Sequence, residues 1–187
     1  MIALTALWLP ILVSAVAVFV VSSIIHMTPL WHKTDYPRYS NEERVLDALR
    51  PIGIPPGDYL MPRPANTAEM RSPEFGEKMK RGPMVLLTVM PPWSGSMAGN
   101  LTQWFAYCLV VSVFAAFVAG SAVPPGTPPF SAICRFAGTT AFLGYTLALF
   151  QMSIWYRRAW AITLKSTLDG VIFALVTCAV FTWMWPH

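Results

Sequence analysis

The sequence is short of charged residues and of cysteines, and each shortage excludes a class of protein. Charged residues make up 12% of its 187 residues, against about 25% in a typical soluble domain. A water-exposed surface so poor in charge would be poorly soluble, so we expect much of the chain to lie in lipid. The 3 cysteines, Cys108, Cys134 and Cys178, fall inside apolar runs without CxxC spacing. This placement predicts inert buried thiols and argues against a disulfide framework or a zinc site.

Sequence signatures of common enzymes and nucleotide-binding proteins are also missing. The chain contains no GxxxxGK[ST], GxGxxG, HExxH or GxSxG pattern, whose residues hold phosphates or metals or activate a nucleophile. No predicted span has an interior histidine, which argues against bis-histidine haem ligation. The net charge of +4 is modest and forms no basic patch in a polar region, so nucleic acid is not an expected partner. We therefore predict a non-catalytic protein without a cofactor.

Long apolar runs occupy most of the remaining sequence. Each has 19 residues or more, and the four runs are Ile2 to Ile25, Leu101 to Val123, Phe130 to Trp155 and Thr167 to Trp185. About 20 apolar residues in a helix cross a bilayer, and lipid does not tolerate an open sheet edge. The sequence therefore predicts an all-α integral membrane protein with one transmembrane helix in residues 1–26 and three in 98–187. Ser112, Ala116 and Gly120 recur at every fourth position and predict close contact between helices.

The basic residues predict the direction of these helices. Of the 13 Lys and Arg residues, 9 lie between the first two runs, and Arg157, Arg158 and Lys165 lie between the last two. The positive-inside rule then places both loops in the cytoplasm and both termini outside a bacterial-type plasma membrane. Basic and aromatic side chains near the span ends are expected to lie at the lipid interface: Arg135, Arg157, Arg158, Trp155 and Trp160.

The predicted cytoplasmic segment, residues 27–97, has signals for short helices. Ser40 is followed three residues later by Glu43, which predicts a capping box at the start of one helix. Ser72 followed by Pro73 predicts the N-cap and first position of another. We therefore expect a small α or α+β segment between the first and second spans.

A short apolar run bounded by prolines follows these helices. Met84 to Met90 is too short to span a membrane. It is either a strand, which could pair with Asp58 to Met61, or a segment lying in the inner interface. An exposed apolar run of this kind also predicts a partner surface, formed by Met84, Val85, Leu86, Leu87 and Val89.

Two of the 3 histidines, His26 and His32, follow the end of the first span. On a continuous helix this spacing directs their rings about 240° apart, and Pro29 interrupts a helix between them. The sequence therefore favours anchoring at the inner interface over a metal pair. Metal binding by His26 and His32 stays an alternative that needs ligands from other elements.

The acid Asp169 lies near the predicted start of the fourth span. Ser166 precedes it by three residues, which predicts a capping box, and Lys165 lies one helical turn away, where it is expected to pair with Asp169. The alternative is an ion or proton site formed with Gln103 and Gln151, because polar groups at membrane depth are often functional.

Function is left open between three hypotheses. The first is an accessory or scaffold subunit whose partners are the lipid bilayer and other membrane proteins or copies of itself. The second is a small homo-oligomeric channel or transporter that uses Asp169. The third is a membrane metal protein or enzyme that combines His26 and His32 with a cytoplasmic acid, Asp35 or Glu43.

Overall fold

The computed structural model describes residues 1–28, 31–92 and 95–186. They form two compact units, the first made of Met1–Pro37 with Ser96–His187 and the second of Arg38–Gly95. Helix accounts for 69% of the structure, which confirms the predicted mainly helical class. Along the chain the elements are α1 (Trp8–Met27), α2 (Glu42–Leu49), β1 (Gly57–Met61), α3 (Thr67–Met70), α4 (Pro73–Arg81), β2 (Val85–Val89), α5 (Ala98–Ala122), α6 (Phe130–Tyr156) and α7 (Trp160–Trp183).

Among the described residues, four helices of the first unit are long and apolar enough to cross a membrane. They are α1 with the 3-10 turn that precedes it, α5, α6 and α7. The predicted set of membrane-spanning candidates is therefore confirmed, as expected for an integral membrane protein. Helix α6 departs from regular α geometry at two π-helical turns, Cys134–Gly138 and Leu143–Leu147.

The predicted start of the fourth helix is wrong. Helix α7 begins at Trp160 rather than near Thr167, so Lys165 lies on the helix and not in a loop. The prediction ended the apolar run at the charge of Lys165, but the helix continues past this residue. A Lys side chain can extend its charge from the end of a membrane helix into the interface, so the charge does not end the helix. The connection between α6 and α7 is consequently only residues 157–159.

A buried apolar cluster lies where the N-terminal turn meets the ends of α5 and α7. We call this region the closed end; its fully buried side chains include Leu7, Ala115, Ala119, Ile133 and Phe181.

Small residues bring the N-terminal turn close to α5 at this end. The Ile2 N–H donates to the Gly120 carbonyl at 2.8 Å, and a Cβ on Gly120 would lie 3.0 Å from the Ile2 oxygen. Ser112 and Ala116 are also buried, so the helix contact predicted from the small residues is confirmed.

The prediction of inert thiols is wrong for two of the cysteines. Cys134 of α6 and Cys178 of α7 form a disulfide with a Cα–Cα distance of 5.0 Å, while Cys108 is buried and free. Sequence spacing misses this pair because 44 residues separate its members, and only the packing of α6 on α7 makes them neighbours.

The second unit contains a β-hairpin. Strands β1 and β2 are antiparallel, with Asp58 opposite Thr88 and Leu60 opposite Leu86. The strand alternative for Val85–Val89 is therefore confirmed. The strand is not buried within the unit, since Val85 is 37% and Leu86 is 43% exposed.

The two predicted helix caps of the second unit have different outcomes. The Ser72 hydroxyl accepts a hydrogen bond from the Phe75 N–H at 3.1 Å, which confirms that cap. The capping box of Ser40 and Glu43 is wrong, because α2 begins at Glu42 with Asn41 at the N-cap position and no side-chain cap. A turn competes with the box: the Glu42 N–H donates to the Tyr39 carbonyl at 3.2 Å.

Candidate metal centre at one end of the helix bundle

A group of polar side chains lies at the end of the first unit opposite the closed end. It joins the C-terminal turn of α1, the segment that follows α1, and the first half of α7. We call it the polar cluster; its members are His26, Trp31, His32, Asp35, Lys165 and Asp169.

The two histidines lie together, contrary to the sequence prediction. The rings of His26 and His32 stack with centroids 4.5 Å apart and an interplanar angle of 12°. The helical angle between them does not apply, because α1 ends at Met27 and His32 begins a separate 3-10 turn. The proline expected to interrupt the helix, Pro29, lies outside the described residues.

Asp169 is the centre of the polar cluster. Its residue is 3% exposed, and its carboxylate accepts a hydrogen bond from the Trp31 indole N–H at 2.9 Å. Its other oxygen lies 2.7 Å from Nε2 of His32. An acid buried at membrane depth needs such partners, because an unpaired charge there is costly.

The predicted roles of Asp169 as a helix cap and as a partner of Lys165 are both wrong. Asp169 lies well inside α7, which begins at Trp160. Lys165 donates instead to Asp35 at 2.7 Å and to Thr34 at 2.8 Å. The tertiary contact wins because α7 packs against the segment after α1, which brings an acid from outside the helix within reach of the lysine.

The residue after Asp169 allows this arrangement. Gly170 is buried against α6, and a Cβ at this position would overlap the Thr146 side chain. A glycine therefore permits the close approach of α6 and α7, which holds this part of α7 in place.

Each histidine has its Nδ1 engaged by an oxygen acceptor. Nδ1 of His26 lies 2.9 Å from the Ser22 carbonyl oxygen, and Nδ1 of His32 lies 2.7 Å from Asp35. A carbonyl oxygen can only accept, so Nδ1 of His26 carries the hydrogen. In a neutral ring this leaves the lone pair on Nε2. The same acceptors commonly orient metal-binding histidines.

Lys165 keeps Asp35 in its charged form. Burial raises the pKa of Asp35, but hydrogen bonds from Lys165 and His32 and their charges more than offset it, so the pKa lies below its ordinary value. The charged carboxylate accepts the hydrogen of Nδ1 of His32. Nε2 of His32 lies 2.7 Å from the Asp169 oxygen. The carboxylate can only accept, so this contact needs either a hydrogen on Nε2, which makes His32 an imidazolium, or a cation between the two atoms.

The ligand atoms of the polar cluster have a composition suited to a metal ion. His26, His32 and Asp169 each offer one atom, and these atoms lie within 4.8 Å of one another. Two imidazoles and a carboxylate suit Zn²⁺ or Fe²⁺, and three protein ligands leave a coordination position open.

A cavity of about 480 Å³ adjoins the cluster between α1 and α5. His26, which is exposed, belongs to both the cavity and the cluster. The wall also includes Met27, Met97, Leu101 and Trp104. It is mainly apolar, as in binding sites for small molecules with an apolar part.

The structure does not bring the other predicted polar residues of the first unit to this site. Gln103 and Gln151 are exposed on α5 and α6, whereas Asp169 is buried. Glu43 is exposed on α2, in the second unit.

The residues predicted to meet lipid lie on the surface of the first unit. Trp155 is 76% and Trp160 is 50% exposed. Arg135 and Arg157 are exposed and Arg158 is half-buried, so their interfacial role stays a prediction.

Sequence reasoning missed the indoles of this region. Trp31 donates to Asp169, and Trp104 donates to the Ser22 hydroxyl at 2.7 Å. Their positions in the sequence do not distinguish them from tryptophans that lie at the membrane interface. The dense run of Trp31, His32 and Asp35 just after an apolar helix was the available signal.

Comparison with known proteins assigns no family. No family model matches the chain, and no curated protein or solved structure is significantly similar to it. The polar cluster is therefore the basis for assigning a function.

Proposed function

We propose that this is an integral membrane protein that binds a divalent transition-metal ion through His26, His32 and Asp169. The observation that carries the proposal is the convergence of two imidazoles and a buried carboxylate within 4.8 Å. The candidate spans supply the membrane setting.

The surrounding hydrogen bonds support metal binding over a purely structural network. The Ser22 carbonyl and the Asp35 carboxylate engage Nδ1 of the two histidines, so Nε2 of each is the ligand atom, once an ion replaces the contact between Nε2 of His32 and Asp169. The Trp31 indole engages one oxygen of Asp169 and leaves the other for the same ion. Partners of this kind fix ligand orientation and raise ligand basicity.

Metal binding requires His26 to rotate out of its stack on His32, because an imidazole binds a metal in the plane of its ring and the two planes are nearly parallel, with centroids 4.5 Å apart. Ligand atoms at about 2.1 Å from a tetrahedral ion lie about 3.4 Å apart, closer than the widest separation in the cluster. His26 is the exposed ligand and the one with most freedom to move. The ion also separates the Asp169 oxygen from Nε2 of His32, two atoms that otherwise need a shared proton.

Metal content and Co²⁺ spectroscopy test the proposal. Protein purified in mild detergent should contain about one Zn²⁺ or Fe²⁺ per chain, because open three-ligand sites retain their ion. After the metal is removed, Co²⁺ should restore a visible absorption spectrum of a tetrahedral or five-coordinate site.

Matched histidine variants make the test specific. His26→Gln should weaken Co²⁺ binding strongly, because it removes one ligand while changing an exposed position. His187→Gln, at the last residue of the chain, should leave binding unchanged. Equal binding by wild type and His26→Gln would contradict the proposal.

We also propose that the polar cluster faces the cytoplasm of a bacterial-type cell, with residues 27–97 inside and both termini outside. The basic loops support this direction. The disulfide of Cys134 and Cys178 lies toward the other end of α6 and α7, and disulfides persist in oxidising compartments. Alkaline phosphatase fused after His187 should be active, and the same enzyme inserted after Gly95 should be inactive.

The exposed hairpin favours a second candidate function, a subunit of a larger membrane assembly. Met84, Val85 and Leu86 are 60%, 37% and 43% exposed on the second unit, and contiguous apolar exposure is typical of contact surfaces. Native mass spectrometry after mild extraction from the source membrane should then find another membrane protein in a fixed ratio. A chain that is always extracted alone would contradict this second candidate.

A further inference from the structure

We infer that the cavity beside His26 binds an amphiphile with a carboxylate head group and an apolar chain. The carboxylate takes the open position of the metal ion, and the chain lies along Met27, Met97 and Leu101. This inference rests on the proposed metal site and names the class of ligand that the site takes.

The location of His26 connects the two sites. It supplies one of the three metal-ligand atoms and also lines the cavity of about 480 Å³ between α1 and α5. A molecule in the cavity therefore contacts the same imidazole that is proposed to hold the ion. Cavities of this size accommodate small molecules of drug-like dimensions.

The cavity wall offers few free polar groups. The hydroxyls of Ser22 and Ser23 both donate to the Phe19 carbonyl, and Ser22 also accepts from the Trp104 indole. Among the described residues, the Asn100 amide is the cavity side chain whose N–H donors stay unengaged. The matching ligand is a mainly apolar molecule with one polar head.

Charge selects the head group. The two histidines bind a metal as neutral imidazoles, and the charges of Asp35 and Lys165 compensate each other across 2.7 Å. A divalent ion with the single charge of Asp169 therefore leaves one positive charge at the open position. A monoanionic carboxylate neutralises it, whereas an alcohol of the same chain length does not.

Decanoate, decanol and acetate separate the contributions of head and chain. Each is titrated into the Co²⁺-loaded full-length protein in dodecyl maltoside while the cobalt absorption spectrum is followed. Decanoate should change the spectrum at a concentration about a hundredfold lower than acetate, because several buried CH₂ groups each contribute about 0.8 kcal/mol. Decanol should leave the spectrum unchanged.

A pair of leucine variants locates the chain. Leu101→Trp fills the cavity and should weaken the decanoate effect at least about tenfold, since overfilling a site excludes its ligand. Leu147→Trp makes the same change at an exposed position of α6 and should bind decanoate like the wild type. Both variants should bind Co²⁺ normally.

The possible failures point to different conclusions. If the wild type does not bind Co²⁺, the proposed metal site and this inference are both wrong. If Co²⁺ binds but decanoate acts no better than acetate, or Leu101→Trp behaves like Leu147→Trp, the inference is wrong and the metal site stands.

Discussion

The two ends of the helix bundle use the same helices for opposite purposes. At the closed end, Leu7, Ile133 and Phe181 are fully buried and apolar. At the opposite end, α7 and the segment after α1 instead bury a carboxylate between an indole and an imidazole. Apolar packing would be the less costly way to close that end too, because a buried charge loses its hydration. The polar cluster, costly as it is, is the basis of the proposed metal site.

Hydrogen bonds between uncharged groups and a disulfide connect the elements of the closed end. The Trp185 indole donates to the Pro124 carbonyl at 2.9 Å, and the Gly126 N–H donates to the Pro186 carbonyl at 2.9 Å. Together with the disulfide of Cys134 and Cys178, these bonds hold the loop after α5 and the ends of α6 and α7 near one another. We therefore expect changes here to affect stability and not metal affinity.

The largest expected effect is at the centre of the polar cluster. Asp169→Asn removes the anionic ligand while keeping the size of the side chain, so Zn²⁺ affinity should fall at least about a hundredfold. Isothermal titration with Zn²⁺ measures the change, and circular dichroism checks that the helices persist. An unchanged affinity in a folded variant would remove Asp169 from the metal site.

The matching change at the closed end should act on stability alone. Replacing both Cys134 and Cys178 with Ala should lower the free energy of unfolding by about 2–4 kcal/mol, since the unfolded chain is no longer cross-linked. Denaturant titration in detergent measures this change. Zn²⁺ affinity should equal that of the wild type, and a parallel loss of affinity would show that the two ends are coupled.

A smaller effect is expected at Asp35, which is hydrogen-bonded to the ligand His32 and is not itself a ligand. Asp35→Asn keeps an acceptor for Nδ1 of His32 but removes its charge, and Zn²⁺ affinity should fall about tenfold. The exposed Asp58→Asn is the control, since its partner is Thr88 of the hairpin. A fall as large as that of Asp169→Asn would mean that Asp35 is itself a ligand.

The smallest expected effect comes from a matched pair of tryptophans. Trp31 and Trp185 each donate one indole hydrogen bond of 2.9 Å, to Asp169 and to Pro124 respectively. Trp31→Phe should lower Zn²⁺ affinity about fivefold, which corresponds to one hydrogen bond of about 1 kcal/mol. Trp185→Phe should leave affinity unchanged and lower only the melting temperature. Equal effects on affinity would contradict the division between the two ends.

Local sequence signals predicted structure well where a few neighbouring residues decide it. Ser72 caps α4 because its hydroxyl needs only the Phe75 N–H three residues away. Asp58 to Met61 and the apolar run after Met84 pair, as expected because a short continuous apolar run bounded by prolines favours a strand. The Ser40 box failed because a competing turn at Tyr39 shifts the helix start to Glu42.

The candidate site was predictable only as separate residues. His26, His32 and Asp169 were each recognised as polar groups near membrane depth, but the sequence did not predict that the three side chains converge. Helical angles misplaced the histidines, because the angle between residues has meaning only while the helix continues, and α1 ends at Met27. A capping pattern misplaced Asp169, because the helix began earlier than its apolar run.

The sequence alone therefore determined the helices, since lipid requires backbone groups to bond within each apolar run. It also determined the short helices and strands whose signals are local. Tertiary structure decided which distant residues meet: His32 and Asp169 are 137 positions apart, and Cys134 and Cys178 are 44 apart. Such contacts follow from how α1, α6 and α7 pack. Helix periodicity predicts which face of a helix is buried, but it does not predict which residue of another element packs against that face.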